Sequence, residues 1–206
     1  MKIITVSRQF ASGGRELGKR LSDILGFDYY DREIITAIAE NKGLDERYVE
    51  NMLENHGWRA FPLTYHSSMA GVTPVSSISA GLLIEQKKVI EQIASLGKDF
   101  VIVGRSADVV LSEYKPFNIF VCADMDSKVK RCIERSKEDE ALTEKEAEKK
   151  IRMIDKNRSR TREIISGDKW GDCGTYHLTV NTTGWNIKDL SYATADFAKA
   201  WFEKHK

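Results

Sequence analysis

The chain opens with a β-branched apolar run, Ile3 to Val6, and within a few residues reaches Ser12-Gly13-Gly14 and then Leu17, Leu21, Ile24 and Leu25. The first run suits a strand buried on both faces. The four later residues fall at i, i+4, i+7 and i+8, one face of a helix. A strand that enters a helix through a Gly-Gly turn presents backbone N–H groups at the helix N-terminus. There the helix dipole favours an anion. Gly13 and Gly14 let the backbone approach such an anion closely. A plain connection in any α/β protein looks the same, so this feature constrains the fold more tightly than the function.

The rest of the chain repeats the theme. Gly26 reads as a helix stop and 27–30 as a second strand. Asp31 is a good N-cap for the helix carrying Ile34, Ile35 and Ile38. Gly43 closes that helix, and Asp45 caps another that runs through Val49 and Leu53. A helix is expected over about 82–96, strands over 100–103, 117–123 and 178–180, and a last amphipathic helix from Asn186. This order predicts an α/β domain: a five-stranded, mainly parallel sheet with helices on both faces. With 206 residues, one domain is expected. The alternation is interrupted over about 31–85 and 125–165, which read as insertions on a core of about 1–30, 86–124 and 166–206. Residues 60–84 contain no Asp, Glu, Lys or Arg and read largely as a long loop, a length usually tied to function or disorder.

Composition narrows the class. Thirty-two Lys and Arg oppose 31 Asp and Glu, a net charge of +1, which argues against bulk binding to nucleic acid or an anionic membrane. The balance is uneven, however. From Lys149 to Arg162 seven basic residues face only Asp155, a local charge of +6. Arg158 and Arg162 lie at i, i+4 and share a helix face. A solvated basic face balanced by the acidic run 138–148 is the bland explanation. No aromatic residues are interleaved for base stacking, so nucleic acid is not an expected partner. Cys122, Cys132 and Cys173 form no CxxC pair, and the four histidines are dispersed, so neither a disulfide framework nor a zinc site is expected. The N-terminus reads as a strand and not a signal peptide, and no apolar run approaches the roughly 18 residues of a membrane span. A cytoplasmic, membrane-free protein is the expectation.

A phosphate-binding loop of the P-loop type reads Gly-x-x-x-x-Gly-Lys-Ser/Thr. Here Gln9 takes the first position and Gly14 the second glycine, while Arg15 stands for the lysine and Glu16 for the hydroxyl residue. Val6-Ser7-Arg8-Gln9, Ser12 to Glu16, and Phe27 to Asp31 together resemble the bacterial cytidylate-kinase-like family. That family is similar in turn to the P-loop nucleoside monophosphate kinases. The resemblance continues at Val103 to Asp108, at Asp155-Lys156-Asn157-Arg158, and at Lys169-Trp170-Gly171-Asp172 with Tyr176 and Asn181.

The resemblance implies a three-part molecule: a nucleotide-binding core, a monophosphate-binding insertion at 31–85 and a lid at 125–165. It implies ATP and Mg²⁺ as cofactors and a small phosphorylated or nucleotide acceptor. Ser12, Gly13, Gly14, Arg15 and Glu16 would hold the donor phosphates, with Glu16 a candidate Mg²⁺ ligand and Asn181 beside the adenine. Arg105 lies at the carboxyl end of a strand, where open α/β sheets bind ligands. Asp31, Arg32, Arg105 and Asp108 are the candidate acceptor residues, with Asp108 orienting Arg105 or capping a helix. Arg15, Arg105, Arg158 and Arg162 would neutralise the charge of a transferring phosphoryl group, and Asp155 would orient the lid. Two departures bear on activity: Arg15 keeps the positive charge of the lysine, whereas Glu16 could bind Mg²⁺ or repel a triphosphate. A regulator that binds nucleotide without turnover, or a kinase of a non-nucleotide small molecule, are the alternatives.

Overall fold

Five strands pair in the order β2-β3-β1-β4-β5, every pair parallel. They are β1 (Ile3–Arg8), β2 (Asp28–Tyr30), β3 (Phe100–Val103), β4 (Phe117–Cys122) and β5 (Leu178–Asn181). The computed structural model describes residues 1–55, 74–136 and 142–205. The sheet is wholly parallel among them, where the sequence predicts a mainly parallel one. Parallel pairing needs a crossover between neighbours, and the helices supply it. They are α1 (Gly14–Leu25), α2 (Glu33–Lys42), α3 (Glu46–Asn55), α4 (Pro74–Ser95), α5 (Ala107–Val110), α6 (Met125–Glu134), α7 (Glu144–Ser166) and α8 (Ile187–Lys204).

Strand side chains alternate between faces, so the sheet feeds two cores. Ile3, Phe100 and Ile102 join Ile34, Ile38 and Ile90 on the side of α2 and α4. Ile4, Val6, Val101, Val103 and Ile119 join Leu17, Leu21 and Ala195 on the side of α1 and α8. Leu17 and Leu21 are fully buried. Each such leucine contributes about 1.5–3 kcal/mol on leaving water. Gly18 lets α1 press against the sheet, since a Cβ there would stand 2.7 Å from a methyl of Val103. Gly26 and Gly43 close α1 and α2 in left-handed backbone, as the sequence predicts.

The charged region over 125–165 carries two helices, and α7 starts at a capping box in which Thr143 and Glu146 satisfy each other's backbone N–H. Two expectations are corrected. The helix expected from Leu82 begins eight residues earlier, at Pro74, a residue suited to the first helical turn. The stretch read as a loop is therefore helical from 74 onward, and its remainder, 60–73, lies outside the described residues. The acidic run is likewise described only from 142. Finally, Asp31 does not cap α2: Arg32 holds the N-cap position and no side chain caps it. Packing of α6 and α7 through Cys132, Ala147 and Ile151 reaches Phe10 and Ala11, so these two helices rest on the loop after β1. No described helix is long and apolar enough to cross a membrane.

Candidate active site

Strand β1 ends at Arg8, and the chain turns through Gln9 to Gly13 before α1 begins. Ala11 and Gly13 both take left-handed backbone, with φ of 58° and 84°. A Cβ on Gly13 would come within 2.6 Å of Ile187 Cδ1, and one on Gly14 within 2.5 Å of Arg8 Cβ. These glycines therefore serve packing as well as backbone freedom.

Side chains from remote segments fix the loop. Asp155 Oδ1 accepts the Phe10 N–H at 2.6 Å. Lys128, nearly buried on α6, reaches Asp155 Oδ2 at 3.3 Å and donates to Gln9 Oε1 at 3.2 Å. Burial pushes the Asp155 carboxyl above the usual aspartate range, against the opposing pull of the Phe10 N–H and Lys128. The Thr182 hydroxyl donates to the Ser12 carbonyl at 2.7 Å. Arg131 donates to Thr182 Oγ1 and to the Thr182 carbonyl, each at 2.9 Å. Burial, reinforced by nearby Arg135, lowers the pKa of Arg131. Sequence reasoning missed Lys128, Arg131 and Thr182. The available signal was Lys128 on the same helix face as the buried Cys132.

Arg8, also missed, is the centre of the site. It is 8% exposed, and its guanidinium lies over Gly104, where a Cβ would stand 1.5 Å from Nη1. Asp31 is buried between two arginines, 2.5 Å from Arg15 Nε and 3.8 Å from Arg8 Nη2. Its carboxylate organises cations beside the loop. Arg32 pairs with Glu50 at 3.5 Å. Beyond β3, Gly104, Arg105 and Ser106 are consecutive left-handed residues, with φ of 76°, 60° and 49°. Two of them are not glycine, a costly conformation that surrounding structure must enforce. Gln86 on α4 does so in part, donating to the Arg105 carbonyl at 3.1 Å. Asp108 pairs with Arg162, both buried. Arg158 donates to the Arg8 carbonyl at 3.3 Å and lies over the Phe10 ring.

Three cavities result; one, about 560 Å³, is lined by Arg15, Glu16, Asp31, Arg32 and Arg135 among others, and the other two share cations. The larger, about 620 Å³, lies along the loop and is lined by Gly13 and Gly14. Cations line it: Arg8 from β1, Arg15 from α1, Arg32 at the N-cap of α2, Arg47 from α3, Arg131 from α6, Arg135 at its C-cap, and Lys150 and Arg158 from α7. Among the described lining residues Glu50 is the sole carboxylate. The smaller, about 70 Å³, lies between β3 and α7 and is lined by Gln86, Arg105, Arg158, Thr161, Arg162 and Trp170, among others. Arg8 and Arg158 line both. Trp170 packs edge-on against Phe120. The structure thus gathers Gly13, Gly14, Arg15, Arg32 and Arg158 in one cavity and Arg105, Arg158 and Arg162 in the other. Asn181 lines neither, and its side chain accepts the Thr183 N–H at 3.0 Å.

Glu16 lines the third cavity rather than these two, its two oxygens held by Arg20 at 3.0 Å and Arg135 at 2.6 Å. Among the described residues no three His, Cys, Asp or Glu side chains gather as a metal cage. Both Glu16 oxygens are engaged by arginines, so a Mg²⁺ held there, by a carboxylate together with nucleotide phosphates, would have to compete with Arg20 and Arg135.

The sheet order, the loop after β1 and the paired cation-lined cavities define a protein of the kinase-fold class. The chain belongs to the cytidylate kinase-like family, whose model matches residues 3–184. No curated protein sequence matches it. Among solved structures it is similar to an uncharacterized protein from Eubacterium ventriosum ATCC 27560, with 23% identity, 97% of this chain and 99% of that one covered, and a TM-score of 0.70. It is also similar to shikimate kinase from Bacteroides thetaiotaomicron, at 14% identity, 96% and 98% coverage and a TM-score of 0.58. A gluconokinase from Sinorhizobium meliloti 1021 matches at 13% identity, 100% and 98% coverage and a TM-score of 0.52. At these identities the likeness is one of fold.

Proposed function

We propose that this protein transfers the γ-phosphoryl group of ATP to a small acceptor, a nucleoside monophosphate. The observation that carries this reading is the sharing of Arg8 and Arg158 by two cation-lined cavities. A phosphoryl group passing between a donor in the larger cavity and an acceptor whose phosphate alone enters the smaller one would cross between these arginines. An acceptor oxygen attacks the γ-phosphorus, the bond to the β–γ bridging oxygen breaks, and ADP leaves. Such transfer depends on positioning and on fixed positive charge rather than on a covalent nucleophile. The loop amides and Arg15 face the donor phosphates, Arg105 and Arg162 the acceptor's phosphate, and Asp155 keeps the lid on the loop. Mg²⁺ would arrive with the nucleotide.

The test is ADP release measured over a panel of nucleoside monophosphates and small hydroxylated acids, with wild type and Arg158→Ala. Removal of a positioned arginine is expected to lower kcat by about 10²-fold or more. Absence of ADP release with every acceptor would overturn the enzyme reading. The clamping of Glu16 by two arginines favours one second reading, a nucleotide-binding regulator without turnover. ATP binding with no acceptor turned over would support it.

A further inference from the structure

We infer that the turn Lys169-Trp170-Gly171-Asp172 presents Trp170 to the smaller cavity as its specificity-determining residue, so that one terminal oxyanion group is admitted and a chain of two is refused. The inference rests on the reading of this cavity as the acceptor side and names the residue that selects there.

The geometry of the turn accounts for all four residues. The Asp172 N–H donates to the Lys169 carbonyl at 3.1 Å and closes it. Gly171 has φ of 79° at the third position, where a positive φ favours glycine. A Cβ there would stand 3.0 Å from Phe120 Cζ, so the turn rests against that ring. Asp172 anchors the far side. Its Oδ1 accepts the Gly174 N–H at 3.0 Å, and its carbonyl accepts the Thr175 hydroxyl at 2.8 Å. Trp170 takes the second position, lines the cavity and meets the buried Phe120 edge-on, with ring centres 5.3 Å apart. The indole is a wall fixed from both sides of its turn.

That wall is joined to the cations it faces. Asp168, just before the turn, reaches Arg162 Nη2 at 3.5 Å. Phe120 packs on Tyr176 with ring centres 5.0 Å apart, and the Arg162 guanidinium lies 5.9 Å from the centre of the Tyr176 ring. Arg162 Nε is a buried donor with no hydrogen-bond partner among the described residues, a costly state unless an acceptor oxygen meets it. With Arg8, Arg105 and Arg158 in the same lining, the cavity favours an oxyanion. Charge does not distinguish one such group from two in a row, but space does. The cavity holds about 70 Å³, where one water in the liquid takes about 30 Å³. A single phosphate-sized group fits, and a diphosphate does not. Trp170 has the largest side chain of the lining, so its truncation relaxes this limit most.

The experiment reads binding and turnover separately. Tryptophan emission of the full chain is titrated with inorganic phosphate and with inorganic pyrophosphate, for wild type and Trp170→Phe, and the difference between the two proteins reports Trp170. Phosphate is expected to change that difference at a concentration about tenfold lower than pyrophosphate does. In the ADP-release assay Trp170→Ala is expected to raise the acceptor KM by about tenfold or more and to leave the ATP KM unchanged. Gly171→Ala keeps the indole but strains the turn, and is expected to raise the acceptor KM in the same way. No difference signal with phosphate, or an equal response to the two ions, overturns the inference. So does a rise in the ATP KM that matches the rise for the acceptor, the mark of a residue that only supports the fold. Absence of ADP release with every acceptor overturns the enzyme reading alone, and the emission titration then decides this inference by itself.

Discussion

The carboxylate of Asp155 on α7 accepts the backbone N–H of Phe10 at 2.6 Å, joining residues 145 positions apart in the chain. Through this bond α7 holds the loop after β1 in shape. The same carboxylate reaches Lys128, so a single side chain ties α6, α7 and the loop. Asp155→Ala would leave the Phe10 N–H without its acceptor and is expected to cost about 1–3 kcal/mol in urea unfolding. Asp155→Asn keeps an acceptor oxygen and is expected to cost less than about 1 kcal/mol. Equal losses in the two variants would disprove the role given to this bond.

The same residue sets a pH dependence. Burial raises its pKa above the ordinary aspartate value of 3.8, so the folded state binds a proton more tightly than the unfolded chain. The stabilisation this provides is full below pH 3.8 and is lost as pH rises through the folded-state pKa. The stability of wild type relative to Asp155→Asn should therefore fall with rising pH across that window. Unfolding free energies of both proteins, measured in steps upward from that pH, will show it; a flat difference would exclude the effect.

Gly104 and Gly26 are both left-handed, with φ of 76° and 70°, yet they predict different outcomes. A Cβ at Gly104 runs into Arg8, whereas one at Gly26 meets nothing within 4 Å. Gly26→Ala is expected to lower stability by about 1 kcal/mol through backbone strain alone, with ATP affinity unchanged. Gly104→Ala adds displacement of the Arg8 guanidinium and is expected to weaken ATP binding by about tenfold or more. Calorimetric Tm and titration Kd, read together, separate the two.

The buried pair Asp108–Arg162 makes a third case. Arg162→Ala leaves a carboxylate that is nearly inaccessible to solvent without its partner, an expected loss of about 3–5 kcal/mol. Adding Asp108→Asn should recover part of that loss. Guanidinium midpoints for the two single variants and the double variant give the coupling; strict additivity would deny the pair any special weight.

Glu16 offers a test of the loop's electrostatics. Its pairing with Arg135 draws that guanidinium toward α1, while Arg135 also lines the larger cavity. Glu16→Gln releases Arg135 and removes a negative charge at the start of α1, beside the proposed donor site. ATP affinity is expected to rise by about two- to fivefold. A fall in affinity accompanied by a higher Mg²⁺ requirement would instead mark Glu16 as a metal ligand.

Much of the fold was legible in the sequence because apolar periodicity is a local signal. The strands around Ile3 to Val6 and Phe100 to Val103, and the closing glycines Gly26 and Gly43, lie where short-range patterns put them. What local pattern could not show was the partner of each charge. Asp31 has the sequence position of a helix cap, but two arginines brought from β1 and α1 compete for it more strongly than a backbone N–H does. Arg8 ends an apolar strand and looks like an exposed terminus until Gly104 opens a space for it. Thr182 and Arg131 are ordinary residues in sequence and become part of the loop only when β4 and β5 pair.

Ile187, at the first position of the final helix, fills the space that the missing side chain of Gly13 leaves open. Synthesis therefore produces the loop after β1 well before the segments that support it. The support from Asp155, Thr182 and Ile187 is added only across separations of 145 residues or more. Contacts that distant are slow to form. A nascent chain carries the loop without these supports until α7, the turn after β5 and α8 have been made, so the loop takes its final shape only when α8 docks.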